Sequence, residues 1–133
     1  MHKNDLNYKI NQILKRETRY HREAYFFASA SVTYTTTQLA QTRHVRAIEL
    51  LKGISTYALK QYGPFYKDIL QGWGIHKASD IGNIVYELIT EQALSASEED
   101  SREDFSVDYD LFAAARIDVQ KEPQSNKKVP TID

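Results

Sequence analysis

Val45-Arg46-Ala47-Ile48-Glu49-Leu50-Leu51-Lys52-Gly53-Ile54-Ser55-Thr56-Tyr57-Ala58-Leu59-Lys60-Gln61-Tyr62-Gly63-Pro64 is the stretch that decides the fold. Ala47, Ile48, Leu51, Ile54, Ala58 and Tyr62 recur at the spacing that lines up one face of a helix, and Arg46, Glu49, Lys52, Thr56 and Lys60 fall opposite. The pattern predicts an amphipathic helix from about Val45 to Gln61. Gly63 stops it, and Pro64 suits the first position of a shorter helix carrying Phe65, Tyr66, Ile69, Leu70 and Trp73, closed by Gly72 and Gly74.

Working outward, Leu6, Ile10, Ile13 and Leu14 predict a helix from about Asp5 to Glu17, with Asn4 or Asp5 as N-cap. If that helix continues to Arg22, then Lys9, Lys15, Arg16, Arg19 and Arg22 form a basic stripe away from the core. From Glu23 to Leu39, Tyr25, Phe26, Phe27, Ala30, Tyr34 and Leu39 suit a buried helix, whereas Ser31-Val32-Thr33-Tyr34-Thr35-Thr36-Thr37 has strand propensity. Helix is the expectation, because no turn signal interrupts the run.

Beyond Gly74, Ser79 is placed to cap a helix whose core face is Ile81, Ile84, Val85, Leu88 and Ile89. Asp108 or Asp110 is placed to cap a last short helix across 111–116, and the composition after Val119 resembles a disordered tail. The expected architecture is all-α: a compact bundle of five or six helices as one domain over 1–119, an acidic C-terminal segment, and a tail over 120–133.

Hydrophobic residues at 41% and charged residues at 26% place the chain among folded globular proteins. No apolar run approaches the roughly 20 residues of a membrane-spanning helix, and the start leads into no signal-peptide core, so a cytoplasmic protein is expected. Without cysteine there is no disulfide framework, cysteine zinc site or thiol nucleophile. The net charge of −1 conceals a split: residues 1–97 hold 12 Lys+Arg against 8 Asp+Glu, and residues 98–133 hold 5 against 10. Docking of one end on the other is one use of such polarity, and steering a partner is another.

The residues His44-Val45, Glu49-Leu50-Leu51, Gly53-Ile54, Tyr57-Ala58-Leu59, Tyr62-Gly63-Pro64, Trp73-Gly74-Ile75 and Asp80-Ile81-Gly82, with Glu99-Asp100-Ser101-Arg102-Glu103-Asp104-Phe105 and Tyr109-Asp110, give the chain a likeness. Over about residues 10 to 112 it resembles a family of conserved bacterial proteins without an assigned activity. The resemblance implies no catalytic residue and no cofactor.

Several groups of residues invite a function, and each has a simpler reading. Lys9, Lys15, Arg16, Arg19 and Arg22, joined by Arg43 and Arg46, are suited to phosphate contacts, with Tyr20 and Tyr25 as stacking groups. A solvated face, or a dock for the acidic segment, explains them more simply. A helix-turn-helix ending in the helix after Ser79 would expose Asn83, Glu87 and Glu91 and no cation, which DNA phosphates would repel. Glu98, Glu99, Asp100, Glu103, Asp104, Asp108 and Asp110 fit no EF-hand spacing, and His2, His21, His44 and His76 fit no ligand pair, so no metal site is assigned. No nucleophile elbow or glycine-rich phosphate loop occurs, so no enzyme is expected.

Nine tyrosines and one tryptophan remain, and polar-tipped aromatics favour interfaces. Tyr57, Tyr62, Phe65, Tyr66 and Trp73 are the expected lining of a partner groove between the two central helices, with core packing as the competing fate. The sequence thus points to a small interaction module for a protein or ribonucleoprotein partner, or alternatively to sequence-independent nucleic-acid binding through the basic stripe.

Overall fold

The computed structural model describes residues 5–39, 46–94 and 102–113. The chain runs α1 (Leu6–Leu14), α2 (Arg22–Leu39), α3 (Ala47–Tyr62), a 3-10 turn (Gly63–Phe65), α4 (Tyr66–Gly72), α5 (Ala78–Thr90) and a second 3-10 turn (Arg102–Phe105). No strand occurs among the described residues. The expected tail over 120–133 lies outside them.

α3 forms as its periodicity demands. Ala47, Leu51, Ile54 and Ala58 are buried, together with Ser55. Ile48, expected in the same stripe, lies at its edge and stays 39% exposed. At the start of α3 the Glu49 carboxylate accepts the Arg46 backbone N–H at 2.9 Å, satisfying a donor that has no partner within the helix. At its end Gly63 takes φ +70°, which only glycine adopts without strain. The Gly63-Pro64-Phe65 turn then starts α4, as the glycine–proline pair implies.

α2 settles the helix-or-strand alternative in favour of helix. Its hydroxyls turn inward along the chain: Ser31 Oγ donates to Ala28 O, Thr33 Oγ1 to Ser29 O, and Thr35 Oγ1 to Ser31 O at 2.8 Å. The threonine rotamer that helices tolerate is the one making this bond, so the β-branched run is accommodated rather than expelled. α2 and α3 run antiparallel, with Thr35 facing Gly53 and Phe27 facing Tyr62. A methyl built on Gly53 would overlap the Thr35 side chain, so this glycine permits the close crossing.

α1 is shorter than its sequence implies. It ends at Leu14, and Arg22 already belongs to α2, so the basic residues do not share one helix. Two hydrogen bonds, one local and one to a distant carbonyl, divert the chain. Glu17 Oε2 accepts the Arg19 backbone N–H at 2.8 Å, a side-chain bond that replaces a helical one, and the His21 N–H donates to Trp73 O at 3.0 Å. Tyr20 thereby enters the core, 3% exposed, with Gly74 (φ +100°) closely apposed to the Arg19 carbonyl.

α5 starts one residue before the expected cap. Lys77, not Ser79, holds the N-cap position, because Asp80 Oδ2 accepts the backbone N–H groups of His76 (2.9 Å) and Lys77 (3.1 Å). Ala78, Ile81, Gly82, Ile84, Val85 and Leu88 are buried, while Ile89 is only partly so. The acid-rich segment contributes Phe105, Leu111 and Phe112 to the same core. Leu111 O accepts two buried hydroxyls, Ser55 Oγ at 3.1 Å and Tyr66 Oη at 2.6 Å, which fasten this segment to α3 and α4. Asp110 Oδ1 accepts the Phe112 N–H at 2.9 Å, and the rest of the segment 111–116, where a last helix was expected, lies outside the described residues.

Candidate functional site: a closed polar seam and an aromatic face

Of the described basic residues of the stripe, Arg16 and Arg19 meet acids, those of α5 and of the turn after α1. Arg16 reaches α5, with Nη2 2.8 Å from Glu87 Oε1 and Nη1 2.6 Å from Glu91 Oε2. The Glu91 hydrogen bond is the main reason the Arg16 pKa is raised. Arg19 forks onto Glu17, with Nε to Oε2 at 2.9 Å and Nη2 to Oε1 at 2.8 Å, and this pair raises the Arg19 pKa as well. Arg22 donates to the side-chain carbonyls of Asn7 (2.8 Å) and Asn11, and Lys9 Nζ donates to Gln92 O at 2.9 Å. Lys15 is exposed, with a 3.4 Å contact to Gln12, and Arg46 is exposed at the start of α3. Arg43, His44 and the acids Glu98, Glu99 and Asp100 lie outside the described residues.

Glu87 and Glu91 were the residues that made α5 unfit for DNA. In the fold they serve as counter-charges for Arg16, 15% and 22% exposed beside a guanidinium at 40%. Arg16 thus ties the turn after α1 to the end of α5, while Arg19 pairs with Glu17 within that turn.

Beneath this seam lies a polar network that the sequence did not mark. Tyr20 Oη donates to Asp80 Oδ1 at 2.7 Å and accepts from Asn83 Nδ2 at 2.9 Å. Asp80 thus holds the start of α5 with one oxygen and Tyr20 with the other. Burial, followed by the hydrogen bond to Asp80, pushes the Tyr20 phenol up to about 12. Tyr25 packs edge-on to Tyr20, with ring centroids 6.4 Å apart, and burial pushes its phenol up too. Its hydroxyl is buried with no hydrogen-bond partner among the described residues. Both phenols stay protonated at neutral pH, so neither is a ready base or nucleophile. Being buried, neither is placed to stack on a nucleic acid, contrary to the sequence expectation. No cluster of three or more His, Asp or Glu that could hold a metal occurs among the described residues.

The five expected groove residues separate. Tyr57, Tyr62 and Trp73 come together, but through a residue not anticipated: Phe27 is 5.8 Å from Tyr57, 6.1 Å from Tyr62 and 5.8 Å from Trp73, centroid to centroid. Tyr62 and Trp73 meet edge to face at 5.8 Å, and Tyr34 extends the chain of rings by its 5.3 Å contact with Tyr57. Phe27 is buried, whereas Tyr34, Tyr57, Tyr62 and Trp73 are each half-buried. Burial, then the neighbouring Tyr57, then Glu23 raise the Tyr62 pKa. Phe65 stands 67% exposed in the turn after α3. Tyr66 is the exception, fully buried with its hydroxyl on Leu111 O and its ring 5.8 Å from Phe112, so it belongs to the core and lines no groove. The signal for Phe27 and Tyr34 was present as a seven-residue spacing, two helical turns along one face of α2.

No family model, curated protein or solved structure matches this chain. No helix among the described residues is long and apolar enough to cross a membrane.

Proposed function

We propose that this chain is a small helical interaction module that binds a protein or ribonucleoprotein partner through the aromatic face of α2, α3 and the α4–α5 turn. One observation carries the reading: four large rings, Tyr34, Tyr57, Tyr62 and Trp73, are only partly buried and keep an edge at the surface around buried Phe27. A monomer gains most by closing such rings, since each buries roughly 150–250 Å² when fully covered. Rings left at a surface, with Phe65 projecting beside them in sequence, are the composition of an interface core.

Nucleic-acid binding through the basic stripe has less support, because Arg16, Arg19 and Arg22 are each held by acceptors of this chain. The same proposal extends to a cytoplasmic setting and to kinship with the bacterial family the sequence resembles. For the interface, affinity purification from the native cell compares the wild-type chain with Phe65→Ser and Tyr62→Ser. A partner held by the wild type and lost by both variants, with a dissociation constant then measured on the purified pair, supports the reading. Equal recovery by all three, or none by any, sinks it.

A further inference from the structure

We infer that Arg22, with Asn7 and Asn11, forms a binding site for the carboxylate of a small monoanionic molecule, between α1 and the start of α2. The site stands apart from the interaction-module reading and survives if that reading fails.

The pairing of three arginines runs against their burial. Arg16 and Arg19 are exposed, with side chains at 40% and 58%, and both hold carboxylates: Glu87 and Glu91 for the first, Glu17 for the second. Arg22 is partly buried, yet among the described residues no carboxylate pairs with it. Its guanidinium donates only to amide oxygens, Nη1 to Asn7 Oδ1 at 2.8 Å and Nη2 to Asn11 Oδ1. Those bonds fix the position of the group without neutralising it. Withdrawing a cation from water is costly unless an opposite charge compensates, so the least exposed of the three guanidinium groups has the greatest need of an anion.

The neighbouring acids do not supply one. Glu23 follows Arg22 directly but is exposed and makes no ion pair, Glu17 is forked onto Arg19, and Asp5 precedes α1 without an ion pair. Arg22 also opens α2, where the helix macrodipole adds to the positive potential instead of offsetting it.

What the site offers is donors. Asn7 and Asn11 lie one turn apart on α1 and take one N–H from each Nη, which leaves about three of the guanidinium's five. The Nδ2 groups of both asparagines have no acceptor among the described residues. A carboxylate accepts paired bonds from the remaining edge of a guanidinium, and its single charge matches the single charge here. A phosphate dianion asks for a second cation, and the next one in the α1 row, Lys15, lies exposed a further turn along. Partial burial between two helices limits access to a group carried by a small molecule.

The test titrates the full chain with sodium acetate and sodium benzoate at constant ionic strength, with chloride making up the balance and phosphate and sulfate in parallel. Binding is read from the Arg22 Nε–H and the Asn7 and Asn11 side-chain amide resonances in proton–nitrogen spectra. Saturable shifts of these resonances are expected with the carboxylates, weakened roughly tenfold or more in Arg22→Lys, which keeps the charge and loses the fork. Asn11→Asp places a carboxylate inside the site, so it should raise the melting temperature in chloride buffer and abolish acetate binding. The rise should vanish when Asn11→Asp is made in an Arg22→Met background. Far-UV circular dichroism confirms that each variant is folded. No saturable shift in the wild type, or equal affinity in Arg22→Lys, overturns the site. No rise in melting temperature for Asn11→Asp shows that the guanidinium lacks no counter-charge and overturns it as well. Phosphate or sulfate binding more tightly than acetate at these resonances overturns the carboxylate as the ligand.

Discussion

The seam between α1 and α5 and the face between α2 and α3 are built from similar residue types, tyrosines with charged neighbours, yet they end in opposite states. In the seam every prominent cation has an acceptor: Arg16 has Glu87 and Glu91, Arg19 has Glu17, and Arg22 has Asn7 and Asn11. Tyr20 is likewise satisfied on both sides, by Asp80 and Asn83. On the face, Lys52 and Lys60 pair with no described carboxylate and four rings are only partly buried. Closure of polar groups marks architecture, and unclosed groups mark a surface available to something else. Among the described residues, Lys52 and Lys60 of α3 are thus cations without a carboxylate partner outside the N-terminal stripe that the charge asymmetry marked.

Breaking the seam at its most connected residue should have the largest effect. Asp80→Ala removes the acceptor of His76, Lys77 and Tyr20 together; bonds to a charged group contribute about 1.5–3 kcal/mol each, non-additively, so a loss of at least about 2 kcal/mol is expected in urea unfolding. A change below about 0.5 kcal/mol would show that the network does not hold α5. Gly53→Ala attacks the scaffold under the face, where overpacking against Thr35 should cost about 1–3 kcal/mol. A double-mutant cycle with Thr35→Ala should recover part of that loss, and strict additivity would place the strain elsewhere.

Titration sharpens the contrast next. The Tyr20 phenol sits up to about 12 in the fold, against about 10 when unfolded, so its contribution is whole below pH 10 and is lost as pH rises towards 12. The unfolding free energy should therefore decline over that window, and Tyr20→Phe should flatten the decline after correction for its own stability. Arg16→Met, which keeps the stem and removes the charge, should cost about 0–1 kcal/mol, and less in 1 M salt than at low salt. A salt-independent loss would assign Arg16 to packing instead.

Tyr25→Phe should change stability in the opposite direction. Its hydroxyl is buried and unpartnered, so removing it should leave stability unchanged or raise it by up to about 1 kcal/mol. A clear destabilisation in thermal melts would mean that the hydroxyl is satisfied in solution. Phe65→Ser on the face should alter stability by no more than about 0.5 kcal/mol, since the ring is mostly exposed already. Its effect belongs in partner binding, and a large loss of stability would make Phe65 structural.

Much of the helical layout was legible in advance because it is local. The three-and-four spacing from Ala47 to Ala58, the Gly63-Pro64 punctuation and the apolar face of α5 each depend on residues within a few turns, and each appears where the pattern places it. Boundaries shifted where a nearby carboxylate or a distant carbonyl captured a backbone N–H. α1 stopped at Leu14 as Glu17 captured the Arg19 N–H and Trp73 captured His21, and α5 began at Ala78 as Asp80 reached back over Lys77. Of the five aromatic residues singled out, Tyr66 was lost to the core and Phe27 and Tyr34 were gained, because helical spacing identifies a face without saying what lies against it.

By itself the sequence determined the class of structure: a helical chain without cysteine, whose periodicity of apolar residues leaves no alternative over α3 and α5. Only the tertiary structure decided which charges cancel and which aromatics stay open. Helix formation follows from neighbours along the chain, through hydrogen bonds and side-chain spacing that the order of residues specifies. Pairing of Arg16 with Glu87, or of Phe27 with Trp73, joins residues 71 and 46 positions apart, and it exists only after α5 and the α4–α5 turn have packed against the earlier helices.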